Sequence, residues 1–228
     1  MHSPVGQIEY TPSDSTPAFI WSLAFSGDGS HLAVGCWSGK THIYELSRGG
    51  SHENGPNAPD SGDGDGSLQV TEKAMIYRSE RVYAVAIDTS CNHVCIGGRD
   101  KMCAMYQIST VGGETSASLL WMAAADDYVY AVALSDDLTY CAFGGTAKAV
   151  TVLNGRTGVQ VCRIGLPGTV WTIAILPGTA DLPTCMAIGG ETSIIKARKP
   201  PSEHPPPPLA LAPSLRGPGR SMIWSTTS

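Results

Sequence analysis

Val82-Tyr83-Ala84-Val85-Ala86-Ile87, then the turn Asp88-Thr89-Ser90-Cys91-Asn92, then His93-Val94-Cys95-Ile96-Gly97-Gly98, is the stretch that decides the fold. Strict alternation puts Tyr83, Val85 and Ile87 on one side of a strand, and Val82, Ala84 and Ala86 on the other. Both sides are apolar, and the alanines are small enough to let a neighbouring sheet approach, so this strand is expected to be buried on both faces. The polar turn reverses the chain into a second strand. Gly97-Gly98-Arg99-Asp100-Lys101 turns it again into Met102-Cys103-Ala104-Met105-Tyr106, which makes an antiparallel meander.

The same phrase stands at three other places: Ile20 to Phe25, Val129 to Leu134 and Val170 to Ile175. A glycine follows the phrase's first residue by fifteen positions at Gly35, Gly97 and Gly144, and by nineteen at Gly189, where the fourth copy carries a proline-containing insertion. Tyr44, Tyr106 and Leu153 each lie nine residues beyond that glycine. Outer strands are expected over Ala74–Tyr77, Leu119–Met122 and Val159–Arg163. The copies start 62, 47 and 41 residues apart. A period of about 40 to 45 residues with several strands per period is the spacing of β-propeller blades. The expected fold class is therefore all-β, a propeller of four-stranded antiparallel blades, four of them recognisable, with the ring open or, alternatively, closed at four blades by a strand over residues 7–10.

At these residues the chain resembles the WD-repeat family, whose blades run from a V-x-x-V-x-F inner strand through a glycine-containing second strand and an Asp-bearing turn to an aromatic-ended third. The likeness covers roughly residues 18–198. Tyr44-Glu45, Tyr106-Gln107 and Leu153-Asn154 stand where that family has Trp-Asp, and only Asp100 occupies the place of the turn aspartate. The pairs Gly97-Gly98, Gly144-Gly145 and Gly189-Gly190 are similar to kelch repeats, but the tryptophan after the kelch third strand is missing. The resemblance implies a non-catalytic scaffold for protein–protein interaction, docking partners on the channel mouth and turn surfaces. The alternative is a kelch-like or cofactor-binding propeller with an enzymatic or small-ligand site on the channel axis.

Three parts are expected: an N-terminal segment, 1–17, with a candidate closing strand over 7–10; the propeller, 18–198, interrupted by a flexible Gly- and Asp-rich loop, 48–67; and a Pro-rich disordered tail, 199–228. Fifteen basic against twenty acidic residues, with no Lys/Arg stripe, argue against nucleic acid as a partner. No apolar run reaches membrane-spanning length and no secretory leader is recognisable, so no membrane is expected. Seven cysteines, an odd number with no C-x-x-C, read as small core hydrophobes in a reducing, cytoplasmic setting.

No catalytic constellation is visible, and neither an enzyme nor a cofactor is expected. Gly35-Cys36-Trp37-Ser38-Gly39-Lys40-Thr41 imitates a phosphate-binding loop but is one residue short and leads into a strand. Ser61 to Glu72 matches part of an EF-hand calcium loop, with Asp63, Asp65 and Glu72 as weak candidate ligands. Its first ligand position is Ser61 and its flanks cannot be helices. The run Pro205 to Pro208 lacks the basic flank that polyproline readers use and serves as a spacer. The candidate partner-binding residues are the aromatics at the second position of every inner strand, Trp21, Tyr83, Tyr130 and Trp171, which the propeller geometry gathers near one mouth of the channel; the alternative is that these rings serve the packing between adjacent blades, and a ring can do both.

Overall fold

The computed structural model describes residues 19–48, 68–176, 185–191 and 195–198; the expected closing strand at 7–10, the loop beyond Arg48 and the tail lie outside them. The described residues form fifteen strands in four antiparallel meanders, each in sequence order. Blade one is β1 (Ile20–Phe25), β2 (His31–Cys36), β3 (Lys40–Arg48) and β4 (Leu68–Tyr77). Blade two is β5 (Val82–Ile87), β6 (His93–Gly98), β7 (Met102–Val111) and β8 (Glu114–Ala124). Blade three is β9 (Val129–Leu134), β10 (Cys141–Gly145), β11 (Ala149–Leu153) and β12 (Gln160–Gly165). Blade four has three described strands, β13 (Val170–Leu176), β14 (Cys185–Gly190) and β15 (Ile195–Arg198).

Consecutive inner strands lie side by side, β1 with β5, β5 with β9 and β9 with β13. Among the described residues, no contact of that extent joins β13 back to β1, so the four blades make an open arc. Apolar cores fill the spaces between blades. Ala33, Ile43 and Ile76 meet Val82, Val85 and Ile96 in the first, and Ala84, Cys95 and Met105 meet Val129, Val132 and Phe143 in the second. Ala142, Val150 and Val152 meet Val170, Ile173 and Ile188 in the third. Full burial of a branched aliphatic side chain contributes roughly 1.5–3 kcal/mol, so these junctions hold the arc together.

The outer strands run longer than the apolar pattern predicts. β8 begins five residues before Leu119, in the polar stretch Glu114-Thr115-Ser116, because an outer strand faces solvent and its composition looks like a loop. Its hairpin with β7 closes through Gly112-Gly113, whose φ angles of 62° and 88° suit a tight primed turn, with Val111 opposite Glu114. β3 likewise continues to Arg48, which pairs with Leu68.

Side chains staple the first turn of blades one, two and three. Ser26 Oγ donates to Asp28 Oδ1 at 2.6 Å and accepts the His31 amide; Ser135, Asp137 and Tyr140 repeat the arrangement, and Asp88 binds the His93 amide and ring in the second blade. The Ser26 hydroxyl, with the Ser30 hydroxyl and amide, holds Asp28 down at about 2 against an ordinary 3.8. A carboxylate depressed in this way contributes stability that is fully present above the unfolded value and lost as pH falls through the folded one. An NMR titration of the Asp28 carboxyl is expected to give a midpoint near 2, and a midpoint at the ordinary value would mean that the staple does not form.

Arg78 joins the first two blades. It follows β4, and its Nε and Nη2 donate to Asp100 Oδ2 at 2.9 and 2.5 Å, while Nη1 reaches the Tyr106 hydroxyl at 3.3 Å. Asp100 also accepts the Met102 amide through its other oxygen, which fixes the turn. Burial opposes the charge of Arg78, but the Tyr106 bond and the Asp100 carboxylate outweigh it and raise its pKa. The aspartate and the aromatic that carry the sequence resemblance are thus the two groups that receive this cation.

Candidate docking site at the channel mouth

The strict alternation read from sequence fails at one residue in every inner strand. Val82 pairs with Gly98 and Ala84 with the adjacent Gly97, so Tyr83 is the extra residue of a β-bulge. Trp21 is bypassed between Ile20 opposite Cys36 and Ser22 opposite Gly35. Tyr130 is bypassed between Val129 opposite Gly145 and Ala131 opposite Gly144, and Trp171 between Val170 opposite Gly190 and Thr172 opposite Gly189. A bulge turns its extra side chain away from the pleat. The second-position aromatics therefore leave the blade faces, and the first-position residues Val82, Val129 and Val170 join the fourth-position Val85, Val132 and Ile173 in the cores.

The four turned-out rings meet each other. Trp21 and Tyr83 have centroids 5.3 Å apart, Tyr83 and Tyr130 5.0 Å, and Tyr130 stacks on Trp171 at 5.0 Å with 14° between planes. Such separations lie in the range where ring pairs add to area burial. Tyr83, in the middle, is buried, while Trp21 and Trp171 are 50% and 54% exposed. One continuous aromatic row thus has a packed centre and open ends. Burial, followed by the neighbouring Tyr83, Tyr128 and Asp127, raises the pKa of Tyr130, so that hydroxyl stays protonated at neutral pH.

Residues that the repeat pattern did not single out extend the row. Trp37, in the turn after β2, lies 5.2 Å from Trp21 and 6.2 Å from Phe19. Tyr128, just before β9, lies 6.3 Å from Tyr83. Their positions are equivalent from blade to blade: the amides of Trp37, Arg99, Thr146 and Glu191 donate to the carbonyls of Phe19, Arg81, Tyr128 and Thr169. The available signal is their place directly before an inner strand or directly after the second strand, but the residue types differ between copies.

Cations border the row. The Arg81 guanidinium sits 3.6 Å from the Trp37 ring centroid, a close cation–π contact. Arg99 and Lys101 lie 5.9 and 5.6 Å from the Tyr128 ring. A bond to Tyr128 raises the pKa of Arg99, and the Lys101 ammonium lowers that of Asp127, which it meets at 3.2 Å. The acids at this rim, Glu80 and Asp127, face these cations. The row thus combines partly open aromatic faces with cations that are each met by a ring or an acid.

The other sequence candidates fall elsewhere. Glu72 is on β4 and accepts the His42 Nδ1 bond at 2.9 Å, while Asp63 and Asp65 lie outside the described residues. The P-loop lookalike is the β2–β3 hairpin. Cys95, Cys103 and Cys141 bring their sulfurs within 4.8 Å of one another, close enough to hold a metal ion. All three are wholly enclosed in the core between blades two and three, with Met105, Val132 and Leu153 around them. Burial drives the Cys103 thiol up; at Cys141 the bond with Cys103 favours the thiolate, but the bond with Cys95 and burial together outweigh it and raise that thiol too, whereas hydrogen bonds from Cys103 and Cys141 and the Arg78 charge favour the thiolate at Cys95. A cavity of about 40 Å³ bordered by Asp126, Tyr128 and Arg163 has room for water-sized guests.

The family model for the WD domain, G-beta repeat, matches residues 6–45, which reach from before β1 into β3. Two solved structures are similar in fold. The WD40 repeats of RRP9 align with a TM-score of 0.53 at 14% identity, over 78% of this chain and 46% of that one. U3-55K aligns with a TM-score of 0.53 at 15% identity, over 78% and 47%. The chain thus spans about half the length of the solved structures it matches. No curated protein matches it.

Proposed function

We propose that this chain, a WD-repeat β-propeller in fold, is a protein-interaction scaffold that docks a polypeptide partner on the aromatic row at its channel mouth. The observation that carries this reading is the bulge repeated in four inner strands. Packing between blades is already complete through the first- and fourth-position aliphatics, so the bulges serve to bring the rings out of the blade faces and into one row. Large rings with open faces are the side chains that anchor interfaces, and Trp21 and Trp171 present half of theirs to solvent.

Several observations support a binding role over turnover. The titratable groups at the mouth are tyrosines and acids facing cations, and the cavity beside it is water-sized. We assign no cofactor, nucleic acid or membrane to the chain; among the described residues no helix is long and apolar enough to cross a bilayer. Cys36, Cys91, Cys95, Cys103 and Cys141 are buried as small core residues, and a reducing, cytoplasmic setting is part of the same proposal.

Capture from lysate by the immobilised full chain, read by mass spectrometry, tests the site. Trp21→Ala and Trp171→Ala are each expected to weaken capture of the same protein by about 2 kcal/mol, roughly thirty-fold, while Val161→Ala on the exposed outer strand β12 leaves it unchanged. Equal capture by all three variants would place the docking surface elsewhere.

A further inference from the structure

The core between blades two and three is set apart by three converging thiols. Cys95 on β6 lies 3.4 Å from Cys103 on β7 and 3.5 Å from Cys141 on β10, sulfur to sulfur, and all three sulfurs fall within 4.8 Å of one another. Two strands of blade two and one of blade three thus bring their thiols together. Each of the three residues is 0% exposed, and Met105, Phe143 and Leu153 belong to the same enclosed cluster.

The repeat supplies its own control for packing. Cys95 stands two residues before the second-strand glycine Gly97, Cys103 pairs with that glycine, and Cys141 stands three residues before Gly144 of the next blade. By the same offsets and pairings, the corresponding trio at the first junction is Ala33, Thr41 and Val94. At the third junction it is Ala142, Val150 and Met186, all buried in one core. Alkyl, hydroxyl and thioether side chains fill these places elsewhere, so the blade junction requires a thiol at none of them. Three thiols meet at one junction only among the described residues.

We propose that Cys95, Cys103 and Cys141 hold one copper(I) ion as three thiolates, a structural clasp between blades two and three. The ion is argued from the donor set. Thiolates select soft metals. A first-row ion bonded at about 2.3 Å to three sulfurs in one plane keeps them about 4 Å apart, so the two shorter separations need to open by only about half an ångström. Structural zinc takes four ligands, and among the described residues no fourth His, Cys, Asp or Glu joins the group. The enclosed core also keeps water from a fourth position, whereas copper(I) is satisfied by three sulfurs. The Arg78 guanidinium acts electrostatically on Cys95, which offsets part of the negative charge of a copper trithiolate. Binding releases the thiol protons to solvent, and because the sulfurs are enclosed, the ion enters while blades two and three are still apart. It is a part of the folded core and not a cofactor of a reaction.

The experiment refolds the reduced 228-residue chain with copper(I) held in a bicinchoninate buffer, or with zinc, and measures the metal that stays with the protein through gel filtration. About one copper per chain is expected, with an X-ray absorption spectrum of three sulfur neighbours at about 2.3 Å and a thermal midpoint above that of the metal-free chain. Cys95→Ala, Cys103→Val and Cys141→Val install residues that the other junctions carry, so far-UV circular dichroism should show each variant folded. Each should nonetheless retain at least roughly ten-fold less copper, since loss of even an outer partner costs that much. Cys162→Ala, outside the trio, should bind as wild type does. Copper absent from the folded wild type, copper retained equally by the three variants, or zinc taken up in its place would each overturn the site. Should a variant fail to fold, the wild-type spectrum still decides, because fewer than three sulfur neighbours would overturn the trio.

Discussion

Arg78→Ala is expected to destabilise the chain by about 3–5 kcal/mol, the range for breaking a buried ion pair by removing one partner. The Arg78 and Asp100 side chains are only 7% and 12% exposed. Alanine leaves the Asp100 carboxylate enclosed with the Met102 amide as its remaining described partner, strips the Tyr106 hydroxyl of a donor, and removes the link from the end of blade one to blade two. Urea denaturation of the variant should show a lower midpoint at unchanged slope. Replacing both Arg78 and Asp100 with apolar residues should cost less than the single change, because the uncompensated charge is what dominates. A loss below 1 kcal/mol for Arg78→Ala would show that water reaches this pair.

Gly97→Val is the second large effect, about 3 kcal/mol and at the upper end for overpacking. Gly97 lies within β6, and its need for glycine is steric: Val129 and Val132 of the next inner strand occupy the space that a side chain would take. Both are β-branched and fully packed, so neither can rotate aside cheaply. Thermal unfolding should show the loss. Val129→Ala in the same background should recover part of it by vacating that space, and absence of any recovery would separate the glycine's role from the junction.

The sequence was legible where one period governs and opaque where two compete. The four inner strands begin where the repeated phrase places them, because an apolar run bounded by polar turns has one way to pair. Tyr83 shows the limit. Alternation assigns it to the side of Val85, but the chain spends one residue on a bulge at Gly97-Gly98, and a bulge does not alter composition. The doubled glycine was the available sign, read as a turn. Outer strands such as Glu114–Ala124 were underestimated because solvent-facing pairing tolerates polar residues. Trp37 and Tyr128 join the aromatic row through turn geometry that no periodicity encodes. Trp21, Tyr83, Tyr130 and Trp171 were found because a ring at a fixed place in each repeat survives any error about which way it points.

The central claim, that the aromatic row at the mouth is where partners dock, is tested most directly by site-specific photo-crosslinking in cells. A photoreactive phenylalanine analogue is placed at Trp171 in one chain and at Val161, exposed on the outer strand β12, in another. The account predicts a discrete crosslinked protein from position 171 and none of that mass from position 161. A crosslink from position 161 alone, or the same product from both, would contradict it.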